Sequence, residues 1–278
     1  YWIFKMIKPR KTVLIKKVRS KSEESLKDKI PVELILTIYL NDTPIAAISC
    51  FPDNLIELVI GYLINNSYIE KYSDIKLIRL CDKEITKDDI PAMSVRVKAS
   101  NILEPNKLID VKPKYISSGC GIFDDLILKK QNEIIKIKNK IKINPEIILK
   151  LNSETIKNQK FKKEFGGLHC ASLFDSQFKF LCLMEDIGRH NCIDKLTGFI
   201  QIRKINASDK IIFTTGRISI DLIYKIYRMS IPFIVSNSSI THSAVLFAKR
   251  AGITAIGYAR GGRFNIYSCP SKIIIGIK

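Results

Sequence analysis

The sequence predicts an α/β protein in which a C-terminal domain built on a parallel sheet follows a smaller N-terminal α+β domain. Three observations carry that expectation. From residue 210 onward, short apolar runs alternate with helical stretches in the order strand, helix, strand, helix, strand, and strands joined through helices lie parallel with right-handed crossovers. Between residues 32 and 99, strand-like runs and a single helix succeed one another without that regular alternation. A chain of 278 residues that is 46% hydrophobic is long enough for one or two cored domains and short for three.

The elements follow in order. Residues 1–29 read as a basic polar leader, dense in Lys, Ser and Glu from Lys8 to Lys29, with regular structure beginning near Val32. Glu33–Leu40 is strand-like, Asn41-Asp42-Thr43-Pro44 is a turn, and Ile45–Cys50 is the returning strand. Pro52-Asp53-Asn54 is a helix start with a capping side chain, and Leu55, Leu58, Val59 and Leu63 recur at helical spacing up to Asn65. Ile75–Asp82 and Met93–Ala99 are further strands, so residues 30–116 form the small domain. Residues 117–130, which hold Ser117-Ser118-Gly119-Cys120-Gly121, show no periodicity and read as a flexible loop. The larger domain spans 131–278. Lys129–Lys150 alternates Lys, Ile and Asn, and pattern does not separate helix from strand there until Pro145 opens a helix to about Asn158. Phe178–Met184 is a strand and Cys192–Ile202 a helix. Then come the strand Lys210–Thr214, a helix with Ile220, Ile223, Tyr224 and Tyr227 on one face, the strand Pro232–Val235, a helix from Thr241 to Ala251 closed by Gly252, and the strand Thr254–Tyr258.

Composition narrows the function classes. The formal charge of +19, from 46 basic and 27 acidic residues, invites an anionic partner. The excess is mostly Lys in an Ile- and Asn-rich chain, so compositional bias explains it equally well. No helix-turn-helix, zinc-finger or aromatic stacking pattern supports nucleic-acid binding. Seven cysteines without a CxxC pair are a poor disulfide framework, which points to a reducing cytoplasm. The apolar opening Tyr1–Ile7 is too short for a signal peptide, and no window reaches the roughly 20 apolar residues of a membrane span.

In an open parallel sheet, ligands collect at the carboxyl ends of the strands. Here those ends carry Thr214-Thr215-Gly216-Arg217, Ser236-Asn237-Ser238-Ser239 and Arg260-Gly261-Gly262-Arg263. Glycines allow close backbone approach, and paired arginines grip phosphate, so a phosphate-bearing ligand fits; turn residues simply occupying turns fit too. Neither GxGxxG after a strand nor GxxxxGK[ST] occurs. In Glu185-Asp186-Ile187-Gly188-Arg189-His190-Asn191, His190 and Glu185 could do chemistry or only shape a pocket, and Asp186 could cap the following helix. His169, beside Cys170 in Phe165–Ala171, fits a core or turn position, or a ligand. Cys120, between two glycines, is placed to reach into another site as a thiolate, and the other six cysteines read as small hydrophobes.

At these motifs the chain resembles the FdhD/NarQ family, the sulfurtransferase accessory proteins of formate dehydrogenase maturation. The matching stretches are Asn41–Pro44, Ser117–Gly121, Gly166–His169, Glu185–Asn191, Thr215–Ser219 and Tyr258–Tyr267, in order across roughly residues 32–270. The resemblance implies a cytidine-deaminase-like, three-layer C-terminal domain and a homodimer. It implies a sulfurtransferase that takes sulfur from a cysteine desulfurase as a persulfide on Cys120. The sulfur goes to the molybdenum or tungsten bis-guanine-dinucleotide molybdopterin cofactor of the formate dehydrogenase catalytic subunit. Tyr258, Ala259, Arg260, Gly261, Gly262 and Arg263 are its implied cofactor-binding stretch. Phe123 stands where some members carry a second loop cysteine. The deaminase zinc signature is absent, since His169 is followed by Cys170-Ala171 and Cys269 lacks a Cys partner, so no zinc is expected. The competing reading is a non-catalytic chaperone for the cofactor or a guanine nucleotide.

Overall fold

The computed structural model describes residues 7–20, 22–86, 89–103, 114–116 and 134–274. Two strands, β1 (Arg10–Arg19) and β2 (Ser22–Pro31), pair antiparallel in unbroken register from Arg10↔Pro31 to Arg19↔Ser22. The expectation of an irregular leader with structure starting near Val32 is therefore corrected. The β-branched and apolar run Thr12-Val13-Leu14-Ile15 supplies strand propensity. Lysines and glutamates on both faces hide it, because the ribbon buries neither face against a core. Its tie to the body is Glu164, which takes Lys29 at 2.9 Å and also Arg10.

The N-terminal sheet has the order β5-β6-β3-β4-β7, from β3 (Leu34–Leu40), β4 (Thr43–Cys50), β5 (Ile75–Ile85), β6 (Pro91–Ala99) and β7 (Lys114–Ile116). Asn41 and Asp42 both take positive φ in the two-residue turn between β3 and β4, the geometry a tight hairpin needs and Asn/Asp tolerate. Along β3, Leu34, Leu36, Ile38 and Leu40 alternate into the core against helix α1 (Leu55–Asn65), where Leu58, Val59 and Leu63 are fully buried.

The C-terminal half is a three-layer arrangement. Its six-stranded sheet runs β13-β12-β11-β10-β8-β9, formed by β8 (His169–Asp175), β9 (Phe180–Asp186), β10 (Lys210–Thr214), β11 (Phe233–Ser236), β12 (Thr254–Arg260) and β13 (Arg263–Ile266). β10, β11 and β12 are parallel, as the alternating pattern predicts. β8, β9 and β13 pair antiparallel, so the sheet is mixed rather than wholly parallel. Alternation splits β10 between two cores. Ile212 faces α4 (Arg189–Ile202), α5 (Ile220–Arg228) and α6 (His242–Ala251), while Ile211 and Phe213 face α2 (Pro145–Asn158). A five-residue helix, α3 (Phe161–Phe165), leads into β8.

Helices α1 and α4 join the two halves at backbone contact. A Cβ built on Gly61 would lie 1.7 Å from the Asp194 carbonyl oxygen, and one on Gly198 would lie 2.0 Å from that of Glu57. Only glycine lets the two helices come this close.

Candidate functional site at the carboxyl edge of the sheet

The carboxyl ends of β10, β11 and β12 lie side by side, and their hydroxyls are spent on one another. Thr214 Oγ1 accepts from the Gly216 amide at 3.1 Å. Ser236 Oγ donates to the Gly216 carbonyl at 2.8 Å and accepts from the Ser238 amide at 2.9 Å. The Ser238 carbonyl accepts from the Tyr258 amide at 2.9 Å. Thr215 Oγ1 accepts from the Cys170 amide at 3.0 Å and lies 3.4 Å from His169 Nδ1. These stitches fix a rim from which Arg217, Arg260 and Arg263 project exposed.

The Arg260–Arg263 segment differs from the loop expected of it. The strand irregularity between Gly257 and Arg260, with Tyr258 at φ 54°, is a bulge that turns β12. Gly261 (φ 60°) and Gly262 (φ 74°) then form a two-residue hairpin into β13, closed by the pair Arg260↔Arg263. The glycines are needed for left-handed backbone; a Cβ on either would meet nothing within 4 Å. Ala259, placed in the expected cofactor stretch, is 2% exposed and packs in the core beside Ile256, so its side chain faces away from any ligand. Arg260 and Arg263 are opposite residues, hence on one face with Cβ atoms roughly 5 Å apart. Two exposed guanidiniums so placed form a fork for a phosphate or pyrophosphate. Tyr258 is half-buried at the root of that hairpin.

The Glu185–Asn191 stretch is mainly a joint. Glu185 accepts from the amides of Lys160, Phe161 and Lys162 at 3.0, 2.9 and 2.8 Å, holding the start of α3. Asp186 does not cap α4, whose N-cap is Gly188 without a side-chain bond. Its Oδ1 accepts from the Gly188 amide (2.9 Å) and Asn191 Nδ2 (2.8 Å), and its Oδ2 from the Phe51 amide (3.1 Å). Lys195 Nζ sits 2.7 Å from Oδ2, with both side chains fully buried. Burial opposes the Lys195 charge, but Asp186 beside it outweighs that and holds the pKa above the ordinary lysine value. Asn191 Nδ2 also donates to the Ser49 carbonyl at 2.9 Å, binding β4 to α4.

His190 is 5% exposed, and its Nε2 lies 3.1 Å from Asp221 Oδ2, out of line for a hydrogen bond; neither ring nitrogen has a hydrogen-bond partner. Burial, then Lys225, with Arg189 and His169 adding to them, lowers its pKa to about 3 despite Asp221. It is a neutral imidazole, not a proton donor, near neutral pH. His169 is lowered by burial and then by Lys162 and Arg189. A Cβ on Gly216 would lie 2.7 Å from Arg189 Cβ, so the Arg189 side chain lies across the end of β10. Its Nε is buried without a partner.

Cys120 and the Ser117–Gly121 motif lie outside the described residues. Among the described cysteines, burial raises the thiol pKa of Cys50 and Cys192 strongly, raises that of Cys170, and pushes Cys182 up to about 12. Those four are protonated, unreactive thiols. Among the described residues no three His, Cys, Asp or Glu side chains gather to hold a metal ion, and no helix is long and apolar enough to cross a membrane. Sequence reasoning missed Lys195, Asp194 and Asn65. Asp194 accepts from Asn65 Nδ2 at 2.7 Å and pairs with Lys225 Nζ at 2.6 Å. The available signal was charged residues at 194 and 195 between the apolar residues of a helix that is buried nearly all round.

Three comparisons bear on this arrangement. The family model described as "FdhD/NarQ family" matches residues 31–274. The sulfur carrier protein FdhD of Sulfolobus acidocaldarius is 33% identical over 263 residues, covering 94% of this chain and 97% of that protein. The protein of the same name from Staphylococcus aureus is 34% identical over 253 residues, covering 89% and 90%. A crystal structure of a protein assigned as a formate dehydrogenase accessory protein, from Desulfotalea psychrophila, superposes with a TM-score of 0.75 at 22% identity, covering 96% of this chain and all of that one. At that identity the likeness establishes the shared mixed α/β fold.

Proposed function

This chain belongs to the FdhD/NarQ family, and from that footing we propose that it is a sulfur carrier acting in formate dehydrogenase maturation. In this reading it works as a sulfurtransferase. The Cys120 thiolate attacks the terminal sulfur of a persulfide on a cysteine desulfurase; the donor's S–S bond breaks and the donor cysteine leaves as a thiolate. The sulfur, now the outer atom of a Cys120 persulfide, is delivered to the bis-guanine-dinucleotide molybdopterin cofactor, of molybdenum or tungsten, destined for the formate dehydrogenase catalytic subunit; the S–S bond breaks, Cys120 leaves as the thiolate it began as, and the acceptor supplies the electron pair that binds the sulfur. That cofactor is cargo. The observation that carries the reading is the match of nearly the whole chain to sulfur carriers. The geometry supports the cargo's chemistry: the Arg260–Arg263 fork, with Tyr258 at its root and Arg217 nearby along the rim, suits pyrophosphate. A homodimer working in the cytoplasm completes the proposal.

The test is intact-mass analysis of the full chain after incubation with a desulfurase and cysteine. One added sulfur atom mapped to Cys120 is expected. Cys120→Ala should lose both the added sulfur and dehydrogenase activation while melting like the parent. Full activation by that variant would overturn the carrier reading in favour of a cofactor chaperone, in which Arg260 and Arg263 matter and Cys120 does not.

A further inference from the structure

The ribbon formed by β1 and β2 covers no core. In its two ten-residue strands only Val13, Ile15, Leu26 and Pro31 are half-buried, and the rest are exposed. A two-stranded hairpin standing alone is marginally stable, and this one is held at its root. The Val32 amide donates to the Pro9 carbonyl at 3.0 Å. Pro31 packs beside Gly167, where a Cβ would lie 3.3 Å from Pro31 Cγ, and Glu164 pairs with Arg10 and Lys29. We propose that this ribbon is the docking arm for the sulfur-donor protein, an acidic partner that adds an extended segment to the free edge of β1. The proposal rests on the carrier reading, which requires a donor to seat on this chain.

Three observations separate this edge from an ordinary solvated strand. Among the described residues β1 pairs with β2 alone, so every second residue along it turns its amide and carbonyl outward. Leu14 and Val18 are 75% and 73% exposed and share one face, with Lys16 between them. Lysines protect natural edge strands, but a strand built only for protection does not also carry two bare aliphatic side chains. Third, the superposition on the Desulfotalea psychrophila structure covers 96% of this chain. The remaining 4% of 278 residues, about 11, is too few to hold both ten-residue strands, so the shared fold reaches into the ribbon. An element that buries no core adds little stability and is kept for what it touches.

Charge selects the occupant. β1 carries Arg10, Lys11, Lys16, Lys17 and Arg19 and no acidic residue, while Glu23, Glu24 and Asp28 lie on β2. Arg10 and Lys16 pair with Glu164 and Glu23; Lys11, Lys17 and Arg19 pair with no carboxylate among the described residues. A second copy of this chain, at +19 overall, meets that edge with like charge, whereas an acidic segment meets it with opposite charge. An added strand gains affinity from main-chain hydrogen bonds and specificity from alternate side chains, here Leu14 and Val18. Position agrees with a donor. The root lies beside Gly167, just before β8, and β8 is three strands from β12 in the sheet, about 14 Å at about 4.8 Å per strand. A donor seated on the ribbon therefore leaves the Arg260–Arg263 fork open to cargo.

The test is the affinity of a cysteine desulfurase for the full chain, measured by biolayer interferometry without cysteine so that no sulfur moves. Amide hydrogen exchange maps the contact. Leu14→Thr/Val18→Thr keeps strand propensity and removes the apolar pair; Lys11→Gln/Lys17→Gln/Arg19→Gln removes the unpaired cations. Each should weaken binding about tenfold or more at an unchanged melting temperature, and binding should slow exchange in Arg10–Arg19. Sulfur loading of Cys120 from glutathione persulfide, which needs no docking arm, should match the parent in both variants. Parent-like affinity in either variant or an unprotected β1 would overturn the docking arm. So would a changed oligomeric mass in the variants, which would mark a second copy as the occupant. A parent chain that takes no sulfur from glutathione persulfide counts against the carrier reading instead, and the affinities still judge the arm.

Discussion

Replacing Gly61 by alanine tests the joint between the two halves. The new methyl would lie 1.7 Å from the Asp194 carbonyl oxygen and 2.5 Å from its carbon. Ordinary van der Waals contact begins at 3.4 Å, so α1 and α4 must part by about 1.7 Å, and a gap of about 0.5–1 Å already forfeits a quarter to a half of each contact's dispersion energy. Overpacking typically costs about 1–3 kcal/mol and more where backbone cannot yield. Here the obstacle is backbone, so about 3–5 kcal/mol is expected before alanine's helix preference of about 1 kcal/mol is returned. The net loss is about 2–4 kcal/mol, read from urea unfolding by circular dichroism at unchanged slope. Gly198→Ala meets Glu57 across the same helix pair at 2.0 Å and should cost a similar amount. One separation relieves both clashes, so the double variant should lose clearly less than the sum of the two. Parent-like stability of Gly61→Ala, or strict additivity of the pair, would refute the close crossing.

Asp186→Asn should be among the most damaging polar changes, costing about 3–5 kcal/mol, because it strands the Lys195 ammonium in the core. Joint replacement by Asp186→Leu and Lys195→Met should cost much less than the two single losses added, and chemical denaturation of the three variants decides. His190 sets a pH dependence. Its folded pKa, about 3, lies below the ordinary 6.5, so its contribution is complete above 6.5 and is lost as pH falls, when the unfolded chain takes a proton that the folded one refuses. From pH 7 to pH 5 that amounts to about 2 kcal/mol. His190→Gln should remove this slope relative to the parent, and parallel stability curves would show that the imidazole is not held neutral.

The elements legible in the sequence are those whose pattern is imposed by burial. Lys210–Thr214 and Phe233–Ser236 are fully buried strands, so their middles, Ile211–Phe213 and Phe233–Val235, had to be apolar and the segments after them had to be turn formers. The ribbon Arg10–Pro31 escaped the same reasoning because it buries neither face, and only burial enforces alternation. The Asp186 misreading has a different cause. A local view offers a carboxylate just before a helix and concludes a cap, whereas the partner that matters, the Phe51 amide, is 135 residues away in the chain. Ala259 and Tyr258 show a third kind of opacity. The carboxyl end of a strand was the right place to look for arginines, but a bulge at Tyr258 decides which side chains reach the rim. Arg260 and Arg263 face solvent while Ala259 turns into the core. The same motif therefore mixes ligand-facing and structural residues at neighbouring positions. An alanine scan of Tyr258–Arg263 read only through activity would merge the two kinds, and pairing each activity with a melting temperature would separate them.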